Sequence, residues 1–299
     1  VLVSTVFPEP DSPTMARLSP SYTSRETSRR AWSPGRSAAS CSEGVAAPGG
    51  FSGSGVLRRC SKGRRQLLRL GTEKGSHAVE IRGNILRHYL KNVYFINGTA
   101  YAGKSTMCAL LAERYGLLHC GENYGADAFM QVATPEEQPN MTYFKTHGDW
   151  QAFLNRTPEA YAAWIEGTSR EMAGFEVAEL IRLSAHQKVI VDTNLPADLL
   201  REIAGYRQVA ILLSPQAMSV DCFFEREDSD KQFLLAQIRR AKDPEKTMRN
   251  FRACLAAVNS QDVYDGWKNS GFFTLVREDA AADTREEALA ALAAHFGLG

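Results

Sequence analysis

The sequence predicts an α/β fold: a three-layer sandwich in which a mainly parallel five-stranded sheet carries helices on both faces, preceded by a disordered N-terminal segment. Three observations lead there. From Asn92 onward, short apolar runs rich in β-branched and aromatic residues alternate with helical patterns, the signature of parallel strands joined by helical crossovers. The composition changes abruptly before that point: up to Leu90 there are 14 Lys/Arg against 6 Asp/Glu, and the rest of the chain holds 21 against 28. Finally, Gly98-Thr-Ala-Tyr-Ala-Gly103-Lys104-Ser105 fits the pattern G-x-x-x-x-G-K-[ST] and stands between a strand and a helix, the context in which that pattern has mechanical meaning.

Residues 1–84 are rich in Ser, Arg, Pro and Gly, with few apolar residues at any regular period. Such a segment cannot bury enough surface to offset the entropy of ordering it, so disorder is the expectation. A basic arm for acidic partners, an organelle transit peptide and translated upstream sequence that is not native protein are the three readings. Pro8, Pro10, Pro13 and Pro20 oppose the amphipathic helix that a transit peptide needs. The sharp change of composition favours a tail or non-native sequence over a functional arm.

The domain, 85–299, opens with the strand Val93–Ile96. A helix follows from Thr106 to Tyr115 and ends at Gly116. Leu117–Cys120 reads as a second strand. Thr157-Pro158-Glu159 is a helix opening, with Thr as N-cap and Pro at the first helical position; the helical spacing continues to about His186, with a break expected near Gly167 or Gly174. Lys188–Asp192, Val209–Leu213 and Phe272–Val276 complete the five strands. Two charged helices, Asp230–Ala241 and Pro244–Val258, lie between the last two, and Thr284–Phe296 closes the chain.

The glycine loop is the most informative stretch. Its backbone N–H groups turn toward one point, and the following helix adds the partial positive charge of its N-terminus. Lys104 then reaches the β- and γ-phosphates of a nucleotide, and the Ser105 hydroxyl is placed to ligate Mg²⁺. Gly98, Thr99, Ala100, Tyr101, Ala102, Gly103, Lys104, Ser105 and Thr106 are the expected nucleotide-binding residues.

On that motif the region from about Asn92 to Gly299 resembles the P-loop NTPase superfamily. No LSGGQ-like signature of transporter ATPases is present, and Leu213-Ser-Pro-Gln stands where a GTPase would carry N-K-x-D. What remains is similar to the small-molecule and nucleotide kinases of that superfamily, the group of shikimate, adenylate and nucleoside kinases. The resemblance implies ATP and Mg²⁺ as cofactors and transfer of a phosphoryl group to the hydroxyl of a small-molecule acceptor. It also implies an acidic contact to the acceptor after the second strand, where Glu122 and Asp127 stand. An acceptor pocket would occupy about 121–186, and an Arg-bearing lid about 219–258. Asp192 would hold the metal with Ser105; its alternative role is to cap the helix after Pro196. Arg226, Arg239 and Arg240 are the lid candidates, because a guanidinium binds the equatorial phosphoryl oxygens in bidentate fashion. Their alternative is a solvated face paired with Asp228, Asp230 and Asp243. Among the aromatic residues of the insertion, helical spacing assigns Phe153, Tyr161 and Trp164 to core packing.

No apolar run approaches the ~18 residues that a membrane span requires. The six cysteines form no C-x-x-C pair and no metal-ligand spacing with the six histidines; Cys108 and Cys120 fall in apolar patterns typical of buried thiols. No secretory signal with an apolar core opens the sequence, and a reducing cytoplasmic setting is the expectation. Two rival functions stay open at this level: a nucleotide-binding switch without a small-molecule acceptor, and a nucleic-acid enzyme using the basic segment as its arm.

Overall fold

The computed structural model describes residues 83–225, 229–279 and 282–299. The expectations for residues 1–82 and for Arg226 lie outside the described residues. In chain order the first elements are α1 (Gly83–Tyr89), β1 (Val93–Gly98), α2 (Lys104–Tyr115) and β2 (Leu118–Cys120). An insertion of four helices follows: α3 (Ala126–Val132), α4 (Tyr143–Thr146), α5 (Trp150–Leu154) and α6 (Pro158–Leu183). The chain returns to the sheet with β3 (Val189–Asp192), α7 (Ala197–Ile203) and β4 (Val209–Leu213). Helices α8 (Gln216–Asp221), α9 (Ser229–Arg239), α10 (Pro244–Val258) and α11 (Gln261–Lys268) lead to β5 (Phe273–Val276) and α12 (Arg285–Phe296).

All five strands are parallel, in the order β2-β3-β1-β4-β5. Alternate residues of β1 point to opposite faces, as the period of a strand requires. Tyr94 and Ile96 pack with Met107 and Leu111 of α2 and with Leu289, Leu292 and Phe296 of α12. Val93 and Phe95 pack on the other face with Leu180 of α6 and with Leu200 and Ile203 of α7. Covering both faces explains why the strands read as continuous apolar runs rather than alternating ones.

A separate aromatic core joins the insertion to the later helices. Phe153, Tyr161 and Trp164 meet Phe223, Leu234, Phe251 and Leu255 there, which places all three aromatics in packing as the spacing predicts. Part of the expected lid is therefore anchored: α10 buries Phe251, Cys254 and Leu255. Each such side chain contributes roughly 1.5–3 kcal/mol by leaving water, which ties α10 to the body.

Helix α6 corrects one expectation. It runs 26 residues without a break, capped by the Thr157 hydroxyl, which accepts from the Ala160 N–H at 3.2 Å. Gly167 does not interrupt it; a Cβ there would stand 2.4 Å from Asn140 Nδ2, so the residue makes room for a neighbour. No described helix is long and apolar enough to cross a membrane.

Candidate active site

Strands β1 and β3 lie side by side, yet β1 connects toward β2 on one side and β3 crosses toward β4 on the other, so the chain switches direction between them. In open parallel sheets the crevice beyond the carboxyl ends of such strands is the ligand site. The glycine loop leaves β1 there, Asp192 ends β3 beside it, and the β4–α8 turn forms the third wall.

Backbone geometry fixes the loop. Gly98 has φ +126°, and a Cβ on it would lie 1.9 Å from the Leu212 carbonyl oxygen; Thr99 N–H donates to that same oxygen at 3.0 Å. The Ser214 N–H donates to the Thr99 hydroxyl at 2.7 Å, and the Ser214 and Ser219 hydroxyls donate to the Ala100 carbonyl at 2.5 and 2.9 Å. Tyr101 takes the left-handed conformation at φ 65°; its hydroxyl donates to the Cys222 carbonyl, and Arg277 donates to its carbonyl at 3.3 Å. Gly103, at φ 88°, is the N-cap of α2 and gives no side-chain cap. The first N–H groups of a twelve-residue helix are thus left for a ligand, where the helix dipole favours an anion.

Lys104 and Ser105 follow at once. The Lys104 side chain is buried, 7% exposed, and its Nζ reaches back across the loop to the Thr99 carbonyl at 3.3 Å. Ser105 Oγ donates to Asp192 Oδ2 at 2.6 Å. Asp192 is 2% exposed, and its other oxygen, Oδ1, is buried without a hydrogen-bond partner. Burial pushes its carboxyl above the ordinary value; Lys104 pulls it back and Glu122 adds to the rise. It caps no helix, since Pro196 holds the N-cap position of α7.

Hard oxygen donors from a serine and an aspartate suit Mg²⁺, which leans on one or two side chains and completes its shell with water and phosphate. The Ser105 contact to Oδ2 at 2.6 Å fits that role and leaves Oδ1 to other partners. No cluster of three or more His, Cys, Asp or Glu able to hold a metal occurs among the described residues, so the ion would need the nucleotide's oxygens as well.

Glu122 stands on the far side of the same cleft, lined together by Ala100, Tyr101, Gly103, Lys104, Ser105, Glu122, Phe223 and Lys231. Asn194 donates to Glu122 Oε1 at 3.4 Å. Burial opposes the charge on this carboxylate, whereas Lys104, the Asn194 amide and Lys231 favour it.

Lys231 is the residue that sequence reasoning missed. It lies in the first turn of α9, is 6% exposed, and its Nζ stands 5.5 Å from the centroid of the Phe223 ring. The signal available was its spacing: Lys231, Leu234 and Ile238 form one buried stripe on α9. Arg239 falls off that stripe, and both Arg239 and Arg240 are exposed at the opposite end of the helix, roughly 12 Å along the axis at 1.5 Å per residue. They line no part of the cleft. Asp127 is exposed too, because α3 turns Ala126 and Phe129 inward instead.

A second opening lies on the other side of the loop. Ala102, Gly103, Thr106 and Met107 form one wall of a groove of about 400 Å³, and Leu275, Val276, Arg277, Arg285 and Ala288 contribute the other. Its lining is largely apolar, with Arg277 and the Asp283–Arg285 ion pair at 2.6 Å adding charge next to the loop.

Glu176 is a further buried acid, 7% exposed, whose Oε1 accepts from the Thr193 hydroxyl at 2.6 Å. Burial raises its carboxyl to about 7; the Thr193 bond opposes the rise and Asp192 adds to it. A carboxyl that prefers its proton when folded destabilises the protein as pH rises from about 4.5, where the unfolded group titrates, to about 7. Above that the penalty is constant, at up to about 3 kcal/mol from 1.36 kcal/mol per pH unit. Glu176→Gln is therefore expected to match the native protein near pH 4.5 and to exceed it in urea unfolding at pH 8. Parallel stability profiles for the two proteins would contradict the assignment.

No protein-family model matches this sequence, and no curated protein matches it.

Proposed function

We propose that this chain transfers the γ-phosphoryl group of Mg-ATP to a hydroxyl of a small acceptor. The observation that carries the reading is the convergence of Lys104, the Ser105–Asp192 pair, Glu122 and Lys231 on one cleft at the carboxyl edge of the sheet. The loop amides and Lys104 bind the phosphates, and the groove beyond Thr106 receives the base. Phosphoryl transfer leaves little covalent work for a protein, so positioning and charge stabilisation supply most of the catalysis. Lys104 and Lys231 are two cations set to balance the charge that spreads over the equatorial oxygens. Glu122 orients the acceptor hydroxyl and takes its proton. Ser105 and Asp192 would hold Mg²⁺, which would supply neutralisation of the phosphate charge.

The test is ADP release by the full chain with Mg-ATP, with and without nucleosides, sugars, hydroxy acids and aminoglycosides. Acceptor-dependent release supports transfer. Nucleotide binding with turnover that no acceptor changes would favour a switch protein instead. In the same assay Asp192→Asn is expected to raise the Mg²⁺ concentration for half-maximal rate by about 10–100-fold, the range for loss of a metal-site partner. An unchanged Mg²⁺ requirement would remove Asp192 from the metal site.

A further inference from the structure

A small cavity lies behind Glu122, between the β2–α3 turn, α6 and the β3–α7 turn. It is lined in part by Asn123, Ser169, Met172, Glu176, Asp192 and Asn194. Ser169, Met172 and Glu176 are spaced three and four residues apart, one stripe of α6. Asn123 holds the left-handed conformation at φ 59°, which Asn tolerates better than most residues. The cavity measures about 10 Å³, room for one water-sized group.

Its polar atoms are unevenly satisfied. Asn123 Nδ2 is a buried donor with no partner, and Asp192 Oδ1 is a buried acceptor with no partner. Glu176, whose Oε1 accepts from Thr193, lines the cavity beside these two unpaired atoms. A buried unpaired donor or acceptor costs about 1–3 kcal/mol, so each of these atoms favours an occupant that pairs with it. An occupant must accept from Asn123 and donate to a carboxylate. A hydroxyl does both, whereas an ammonium group cannot accept. A carboxylate or phosphate is larger than the space, cannot donate, and would sit among Glu176 and Asp192 with no Lys or Arg in the lining. Asn194 joins this cavity to the phosphate cleft, because it lines the one and donates to Glu122 in the other.

We propose that the cavity is an acceptor subsite that captures a hydroxyl neighbouring the reacting one, so that the acceptor is an uncharged polyhydroxyl compound: a ribonucleoside, a sugar or a cyclitol. This rests on the phosphoryl-transfer reading above. The reacting hydroxyl stays beside Glu122, and its neighbour lodges between Asn123 and the carboxylates. Acids and phosphorylated acceptors are excluded by size and by charge.

The experiment uses the full chain with Mg-ATP and reads ADP release. Ribonucleosides, hexoses and inositol form one arm, their deoxy analogues a second, and hydroxy acids with nucleoside monophosphates a third. Stimulation is expected from at least one compound of the first arm and from none of the third. Asn123→Ala and Glu176→Gln are expected to raise the KM of that acceptor tenfold or more and leave the KM for ATP within twofold. The matching deoxy analogue should be insensitive to both changes. Stimulation by an acid overturns the inference and leaves phosphoryl transfer standing. An acceptor KM unmoved in both variants also overturns it, since the cavity then holds a structural water only. No stimulation by any compound overturns both readings; if Mg-ATP still raises the melting temperature, nucleotide binding alone survives.

Discussion

Replacing Lys104 with alanine is expected to lower Mg-ATP-dependent ADP release about a hundredfold to a thousandfold, since loss of a single preorganised donor to transition-state charge costs roughly 2.7–4 kcal/mol. The ammonium is held in place before any ligand arrives: it is buried and spans the loop to the Thr99 carbonyl at 3.3 Å. That position is reached without reorganisation, which is what makes a charge effective in the transition state. Lys104 also draws down the carboxyl of Asp192. Its removal leaves Asp192 and Glu122 without their shared cation, and Asp192 then takes up a proton more readily. The variant should consequently lose some stability at neutral pH and need more Mg²⁺. Lys104→Arg separates the two effects, because it restores the charge but not the compact ammonium; stability should return and the rate should not. Full activity in Lys104→Ala would refute the assignment of the loop as a phosphate site.

The parts of this molecule that rest on contiguous residues were legible in the sequence. The strand Val209–Leu213 and the helix Pro244–Val258 are found as predicted, because apolar runs and a Pro at the first helical turn are local signals. The Gly98–Ser105 loop was legible for the same reason. Helix α11 was not anticipated, although Tyr264 and Trp267, three residues apart, carry a helical apolar spacing against the core; eight residues are too few for it to stand out. Long-range residues of the cleft were harder. Glu122 and Lys231 share one cleft only because α9 and the turn after β2 pack around the end of the sheet. Glu122 is marked in the sequence as a candidate by its place after a strand, but nothing local distinguishes Glu176 from the other acids of α6. Arg239 and Arg240 drew attention as a pair, yet the buried stripe of α9 passes through Lys231, Leu234 and Ile238 and leaves both arginines in solvent.

Gly98→Ala is expected to be the most damaging single substitution for stability, with a loss above about 4 kcal/mol or failure to fold, the range reserved for steric disruption of a fixed site. Two penalties coincide at Gly98. Its φ of +126° is disfavoured for any residue with a Cβ, and that Cβ would stand 1.9 Å from the Leu212 carbonyl oxygen. The clash is with backbone in the middle of the sheet, so no side-chain rotation relieves it. Either the β1–β4 pairing opens or the loop moves away from Ser214, and in both cases the geometry of the glycine loop is lost. Two other glycines calibrate the measurement. Gly103 also has a positive φ, +88°, but a Cβ there meets nothing within 4 Å; Gly103→Ala should cost only the conformational term, roughly 1–2 kcal/mol. Gly174 lies inside α6 with nothing within 4 Å, so Gly174→Ala should gain up to about 1 kcal/mol from helix propensity. Urea midpoints of the three variants should therefore fall in the order Gly174→Ala, native, Gly103→Ala, Gly98→Ala. A Gly98→Ala protein with the native midpoint would mean that the chain does not pass β4 as closely as the hydrogen bond from Thr99 to Leu212 requires.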